Sequence, residues 1–365
     1  MPQFARAQLV LIEVAAAAVA GGRAARGGWA IAGAAVGAVV LLTAVVPLRR
    51  RWLYQVLGSW AGLVRRRRRV GRRTGLAGLL GDYAIESVPG GSRGGAIGVV
   101  RSGTTWSLPL ALGLDDVFND DPAVPVQVLA GLLQIEDVAL SSVRLVTVTT
   151  PVQVAGNAPS GPSAPLTPLA ARYCVLTVDT RRAAEAVSAR GGSQAAVHQI
   201  LRRCAVHAEQ VLATADLRVR RLDETAVAGL FGTWLGPAGP AGGRRGGQTL
   251  ESRRDIRVAG VWSTLFAVTG DGDVTTRVAR LAAAAPTAVV VTSLVLQPAA
   301  RRRPGAPRAA LLVRLSAPET SAHEDAARSL ALLARAYDLV LQPLDGEQGE
   351  LLRATTPIGV GEEAA

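Results

Sequence analysis

The segment "VWSTLFAVTGDGDVTTRVARLAAAAPTAVVVTSLVLQP", residues 261–298, reads as strand, helix, strand. β-Branched and aromatic residues fill 260–269 and the turn "GDGD" follows at 270–273. Apolar residues then recur at helical spacing over 274–284, and a second β-branched run occupies 287–297. Downstream, the same signals predict strands at 308–316 and 338–343 around a helix at 320–336, and "DGEQGELL" (345–352) opens a short helix. Working backwards, the order repeats. Residues 104–112, 142–150, 172–179 and 217–222 read as strands, 124–135 and 194–213 as helices, and Asp223 is placed to cap a short helix.

Local matches reinforce the repeat: "TWSLPLAL" beside "VWSTLFAV", "VTVTTP" beside "TSLVLQP", and "RRLDE" beside "QPLDG". Each half reads βαββαβ, which predicts an α+β fold with two tandem ferredoxin-like βαββαβ units, the first over 82–235 and the second over 251–365. A Gly/Pro-rich linker at 236–250 separates them, and a Pro-rich stretch at 151–170 joins the two middle strands of the first unit.

The N-terminus is of a different character. Residues 27–48 contain no charge, and as one helix they would run about 33 Å, enough for a hydrocarbon core of roughly 30 Å. Between Arg6 and Arg23 lies a shorter apolar run with Glu13 inside it. Together they predict a two-helix transmembrane hairpin over 1–48, followed by a basic juxtamembrane segment over 49–81. A cleaved signal peptide over 1–22 is the rival reading, disfavoured by the acid within the apolar run. Two Arg lie between the apolar runs and ten follow closely after the second, which predicts a cytoplasmic C-terminal domain.

The charge map excludes one class of function. The chain carries 40 basic residues, all Arg, and 28 acids, for a net charge of +12. Residues 1–73 hold 13 Arg against Glu13 alone, so residues 74–365 hold 27 of each sign and are neutral. A neutral main domain lacks the footprint of a nucleic-acid binder. The basic excess sits instead at Arg65, Arg66, Arg67, Arg68 and Arg69, behind Trp52, Tyr54 and Trp60. Aromatics at headgroup level with Arg beside anionic lipid account for this pattern, and so does a helix that docks a partner. Gly33 and Gly37 stand at GxxxG spacing, a helix-packing signal that Gly/Ala-rich helices also carry by chance.

No motif for chemistry stands out. There is no GxxxxGK[ST] and no GxGxxG opening a helix. His198, His207 and His323 form no ligand set, and Cys174 and Cys204 read as buried thiols. The acids of "LDDVFNDDP", Asp115 to Asp121, read as helix caps, with metal or nucleotide-sugar chemistry as the sharper alternative. "GDGD" lacks the other ligands of a calcium loop and reads as a turn.

Several segments in order resemble one family. They are "RRRWLYQVLGSWAGLVRRRRR" (49–69), "LLQIEDVALSSVRLVTVTTP" (132–151), "RYCVLTVDT" (172–180), "LRVRRLDETAVAGLF" (217–231) and "YDLVLQPLDGEQGELLRATTPIG" (337–359). With the hydrophobic start they resemble EccE of actinobacteria, a membrane component of type VII (ESX) secretion machines. The strand around Trp262 is simpler than the family pattern, and the chain is short. The resemblance implies a non-enzymatic structural and assembly subunit, multi-pass in the cell membrane, whose partners are EccB, the EccC ATPase and EccD. It implies no catalytic residue, cofactor, metal or small-molecule substrate. The alternative is a membrane-anchored, glycosyltransferase-like enzyme using Asp115 to Asp121.

Overall fold

The computed structural model describes residues 6–24, 28–48, 51–70, 80–90, 95–113, 124–153, 166–235, 250–258, 260–285, 288–299 and 306–359. They fall into two compact units, Met1–Arg66 and Arg67–Ala365.

In the first unit, α1 (Arg6–Ala24) and α2 (Gly28–Val45) pack antiparallel. Small residues allow it. A Cβ on Gly33 would stand 2.6 Å from the Ala18 carbonyl oxygen and 2.7 Å from the Gly22 Cα, and one on Gly37 would stand 2.5 Å from Val19 Cγ2. Gln8 Nε2 adds a buried bond to the Ala44 carbonyl, 2.9 Å long. Strands β1 (Pro47–Leu48) and β2 (Arg51–Trp52) then form a short ladder, and α3 (Leu53–Val70) follows.

This helical pair corrects the expected transmembrane hairpin. Among the described residues no helix is long and apolar enough to cross a membrane. The uncharged run is not one helix, because α2 stops at Val45 and Pro47 begins a strand. Its 18 residues rise about 27 Å, short of the roughly 30 Å core. The 19 residues of α1 include Arg6, Glu13 and Arg23.

The second unit is built on one antiparallel sheet of 12 strands. In chain order these are β3 (Ala84–Val88), β4 (Ile97–Ser102), β5 (Thr105–Leu112), β8 (Ser142–Gln153), β9 (Leu166–Asp179) and β10 (Val219–Arg221). They continue as β11 (Leu250–Glu251), β12 (Ile256–Val258), β13 (Val261–Thr269), β14 (Val289–Gln297), β15 (Arg308–Ala317) and β16 (Val340–Pro343). A small separate hairpin, β6 (Gln134–Ile135) with β7 (Val138–Ala139), replaces the end of the helix expected at 124–135. The strand order is β11-β12-β13-β15-β14-β8-β9-β5-β4-β3, with β10 on β5 and β16 on β13.

That order overturns the expectation of two tandem ferredoxin-like units. The strands of both halves share one sheet because β8 pairs with β14 from Val143↔Leu296 to Thr149↔Val290. The local order does recur on either side of this seam, β10-β5-β9-β8 on one and β16-β13-β15-β14 on the other. Even the hairpins match. Arg101 pairs across strands with Trp106 and Arg257 with Trp262, and each guanidinium lies over its indole, at 5.6 and 5.5 Å. Of the Pro-rich stretch at 151–170, residues 151–153 and 166–170 extend the β8–β9 hairpin, paired out to Gln153↔Leu166, and 154–165 lie outside the described residues.

Alternation along the strands sends apolar side chains to both faces, and both are covered. One face meets α4 (Val126–Gly131), the short α5 (Ala184–Ser188) and α6 (Gln194–Ala213), through Trp106, Leu108, Leu110, Cys174, Leu176, Ile200 and Cys204. On the same face α8 (Val274–Ala283) and α9 (Thr320–Ala336) cover Phe266, Val290, Val313 and Leu315. Asp273 caps α8 by accepting from the Thr276 N–H, and Asp223 caps α7 through the Ala226 N–H at 2.7 Å. The opposite face carries α7 (Glu224–Leu235), α10 (Gln348–Leu351) and a 3-10 turn, Leu352–Thr355, over Val146, Val148, Val175, Leu265, Val291 and Leu312.

Because the seam joins both halves into one hydrogen-bonded sheet, residues 67–365 should unfold as a single cooperative transition. Differential scanning calorimetry giving two separated transitions would contradict a shared sheet.

Candidate functional site: the buried arginines and the C-terminal strap

The C-terminal segment "LDGEQGELLRATTPIG", residues 344–359, crosses the face opposite α6 and α9, and the densest polar contacts of the second unit gather beneath it. It begins as a continuation of β16. The Leu344 N–H donates to the Leu265 carbonyl at 3.1 Å, and Gly346, at φ +81°, turns the chain and donates to the Arg253 carbonyl at 2.7 Å. Gln348 is fully buried. Its Oε1 accepts from the Leu265 N–H at 2.7 Å and its Nε2 faces the Leu265 carbonyl at 3.4 Å, so one side chain serves β13 as a neighbouring strand would. The Gly349 N–H donates to Glu251 Oε1 at 3.0 Å, and a Cβ there would press on that carboxylate.

The strap is then held from below. Arg144, on β8 and fully buried, donates from Nη1 to the carbonyls of Arg353 and Thr356, both at 2.9 Å, and from Nη2 to that of Ile358 at 2.8 Å. The Ser293 hydroxyl donates to the Ala354 carbonyl at 2.7 Å. Arg314, on β15 and equally buried, donates to the Trp234 carbonyl in the last turn of α7. Burial pushes both guanidinium groups down to about 9, so both keep their charge at neutral pH. Their partners are backbone carbonyls, and Arg144 Nε and Arg314 Nε and Nη1 have no hydrogen-bond partner among the described residues.

Beyond Ile358 the strap lies over a row of hydroxyls, Ser107, Thr177 and Ser142, which are register neighbours on β5, β9 and β8. All three are fully buried without a hydrogen-bond partner among the described residues, and a Cβ on Gly359 would sit 2.5 Å from Ser107 Oγ. Only glycine lets the chain approach that closely.

A second buried polar group has the members of a catalytic triad but not its wiring. Thr264 Oγ1 donates to Asp255 Oδ1 at 2.5 Å and lies 3.0 Å from His323 Nε2. The one hydroxyl proton goes to the carboxylate, so the imidazole must donate, and it cannot serve as base to Thr264. Burial lowers the His323 pKa, opposed by the carboxylates of Asp255 and Glu324. Cys174 and Cys204 are free buried thiols, each pushed up to about 12 by desolvation, which makes them inert.

The residues singled out from sequence lie elsewhere. Gly33 and Gly37 face α1 of the same chain. Tyr54 is half-buried, Trp60 is 60% exposed, and Arg65 and Arg67 are exposed. The side chains of Trp52, Arg66, Arg68 and Arg69 lie outside the described residues, as does the whole of Asp115 to Asp121. Among the described residues no group of three His, Cys, Asp or Glu could hold a metal ion. Sequence reading missed Arg144 and Arg314, although a signal was present. Both stand in a V-R-L triplet inside a β-branched run, 143–145 and 313–315, where alternation puts the Arg on an inward face.

The stretch bearing β9, α6, β10, α7 and β11 through β13 is similar to a family of type VII secretion components. Residues 170–268 match the family model described as "Putative type VII ESX secretion system translocon, EccE", which bears out the EccE resemblance read from the sequence. No curated protein matches the chain.

Arg144→Ala should orphan the buried carbonyls of Thr356 and Ile358 and cost roughly 2–5 kcal/mol in urea denaturation, with Arg144→Lys recovering only part. Arg65→Ala, on an exposed position, should stay within about 0.5 kcal/mol; equal losses would remove the special role of Arg144. A second outcome concerns acid. With the folded His323 pKa below the ordinary value of about 6.5, the unfolded chain binds more protons between the two. Its contribution is therefore intact above about pH 6.5 and is lost as the pH falls towards the folded pKa. His323→Gln should flatten that part of the stability profile, and an unchanged slope would contradict it.

Proposed function

We propose that the chain is a non-enzymatic structural and assembly subunit of a type VII secretion complex. The observation that carries this reading is the EccE match over residues 170–268, which contribute most of β9 and β10 through β13 to the large sheet. The polar architecture supports it. Arg144, Arg314, Gln348 and Ser293 are spent on backbone groups of the chain itself, and Thr264 is wired against nucleophilic attack. These contacts stiffen a scaffold rather than assemble a reaction centre.

In this reading EccB, the EccC ATPase and EccD are the partners, and α3 is the docking element at the cell membrane. Its first turns carry Tyr54 and Trp60, and its last turns the run Arg65 to Arg69. Aromatics and Arg are enriched where protein contacts carry energy, and an Arg run gains from anionic lipid of the cytoplasmic leaflet. Gly33 and Gly37 act one step back, by keeping α1 and α2 paired.

Mild-detergent purification of tagged full-length protein should recover the other membrane components. Ala at Trp52, Tyr54 and Trp60, Gln at Arg65 to Arg69, or Leu at Gly33 and Gly37 should each reduce that recovery. A purified complex lacking the chain, with secretion unchanged on its deletion, would sink the proposal.

A further inference from the structure

On the helical face of the sheet, α8 leaves a cavity of about 170 Å³ over the β8–β14 seam. Its floor is ordered by strand register. Thr292 on β14 is opposite Thr147 on β8, and Thr147 is opposite Arg172 on β9, so a polar row crosses three strands. Two residues along, about 7 Å, Leu294 is opposite Leu145 and starts an apolar row on the same face. The cavity is therefore polar at one end and apolar at the other, with Leu311 and Val278 closing the apolar side and exposed Ala279 at its mouth.

Thr292 marks this as more than a packing defect. It is 8% exposed and lines the cavity, and its hydroxyl bonds to no described residue. That hydroxyl is the polar group the floor offers at this point of the cavity. Arg172 adds a positive charge to the row. Asp273, the acid at the head of α8, already accepts from the Thr275 hydroxyl and the Thr276 N–H.

We propose that this cavity binds a small amphipathic carboxylate, its head on Arg172, Thr147 and Thr292 and its apolar body against Leu145, Leu294 and Leu311. Size sets the class. A cavity of about 150 Å³ takes benzene, so the fit is a monocarboxylate with a body of about that bulk rather than a nucleotide or a long-chain lipid. Such a site is independent of the assembly role and would give the scaffold a metabolite-responsive element beneath its seam.

Benzoate is a suitable probe, titrated by isothermal calorimetry into purified full-length protein, with benzyl alcohol as the uncharged control. Saturable 1:1 binding is expected for benzoate, with benzyl alcohol several-fold weaker. Arg172→Gln should weaken benzoate about tenfold, the scale of one charge-assisted hydrogen bond. Thr292→Val should weaken it less, and Ala279→Trp should block it. Ala279 is exposed, so its variant should fold even if Arg172→Gln does not, and circular dichroism checks both. Absence of saturable binding overturns the proposal. So does equal affinity for benzyl alcohol, or undiminished binding to the Ala279→Trp protein.

Discussion

The pairing of β8 with β14 is the contact on which the rest of the large unit depends. It turns two similar runs of strands into one sheet, and it does so between two strands that would otherwise be edges. An exposed apolar edge is a liability in any sheet protein. Here each half covers the edge of the other, and the cross-strand neighbours are apolar on both faces: Leu145 with Leu294 on one, Val148 with Val291 on the other. Neither half could shift register by one residue without turning its core outward, so the pairing also fixes how the two halves align.

A continuous sheet needs covering on both faces, and the two faces are covered differently. Helices α6 and α9, each following its own β-hairpin, cover one face by amphipathic packing, which is local and cheap in loop entropy. The other face is covered by α7 and by the last residues of the chain. The Arg144 contacts to Arg353, Thr356 and Ile358 join residues more than two hundred positions apart. Such contacts are costly to close in an unfolded chain. Ser293, on the other side of the seam, reaches the same strap, so both halves grip it.

What could be read from sequence follows from this division. Local periodicity revealed β5, β13, β15, α6 and α9 nearly to the residue, and the C-terminal end of β9, because each buries one face in a regular pattern. The short strands β3, β4, β11 and β12 escaped notice, being two to six residues long, too short for an alternation to stand out. The seam escaped for a deeper reason. Two halves with the same element order fold equally well as separate sheets or as one, and only pairing energy between edges decides. The apolar run of 27–48 misled because hydropathy sums ignore Pro47, whose ring ends the helix early. Of the site, "LDGEQ" stood out in the sequence as part of the resemblance to EccE. Its physical meaning was not, since Gln348 acts on β13 across a long stretch of chain.

Arg144 shows why a charge can be the better core residue at such a place. Past the 3-10 turn, the buried carbonyls of Thr356 and Ile358 have no helical partner. A hydrophobic side chain of the same length would fill the volume and leave those oxygens bare, at about 1–3 kcal/mol each. A lysine would bring three donors on a point charge, whereas the guanidinium spreads five across a plane and meets three carbonyls at once. Its own desolvation cost is met by those carbonyl dipoles rather than by a carboxylate, which leaves the pair neither switchable by acid nor dependent on salt. Arg314, bonded to the end of α7, applies the same solution at a helix C-terminus, where the backbone dipole is already negative. Two arginines in matching V-R-L triplets thus close the two pieces of chain that cover one face of the sheet, and neither depends on an exposed partner.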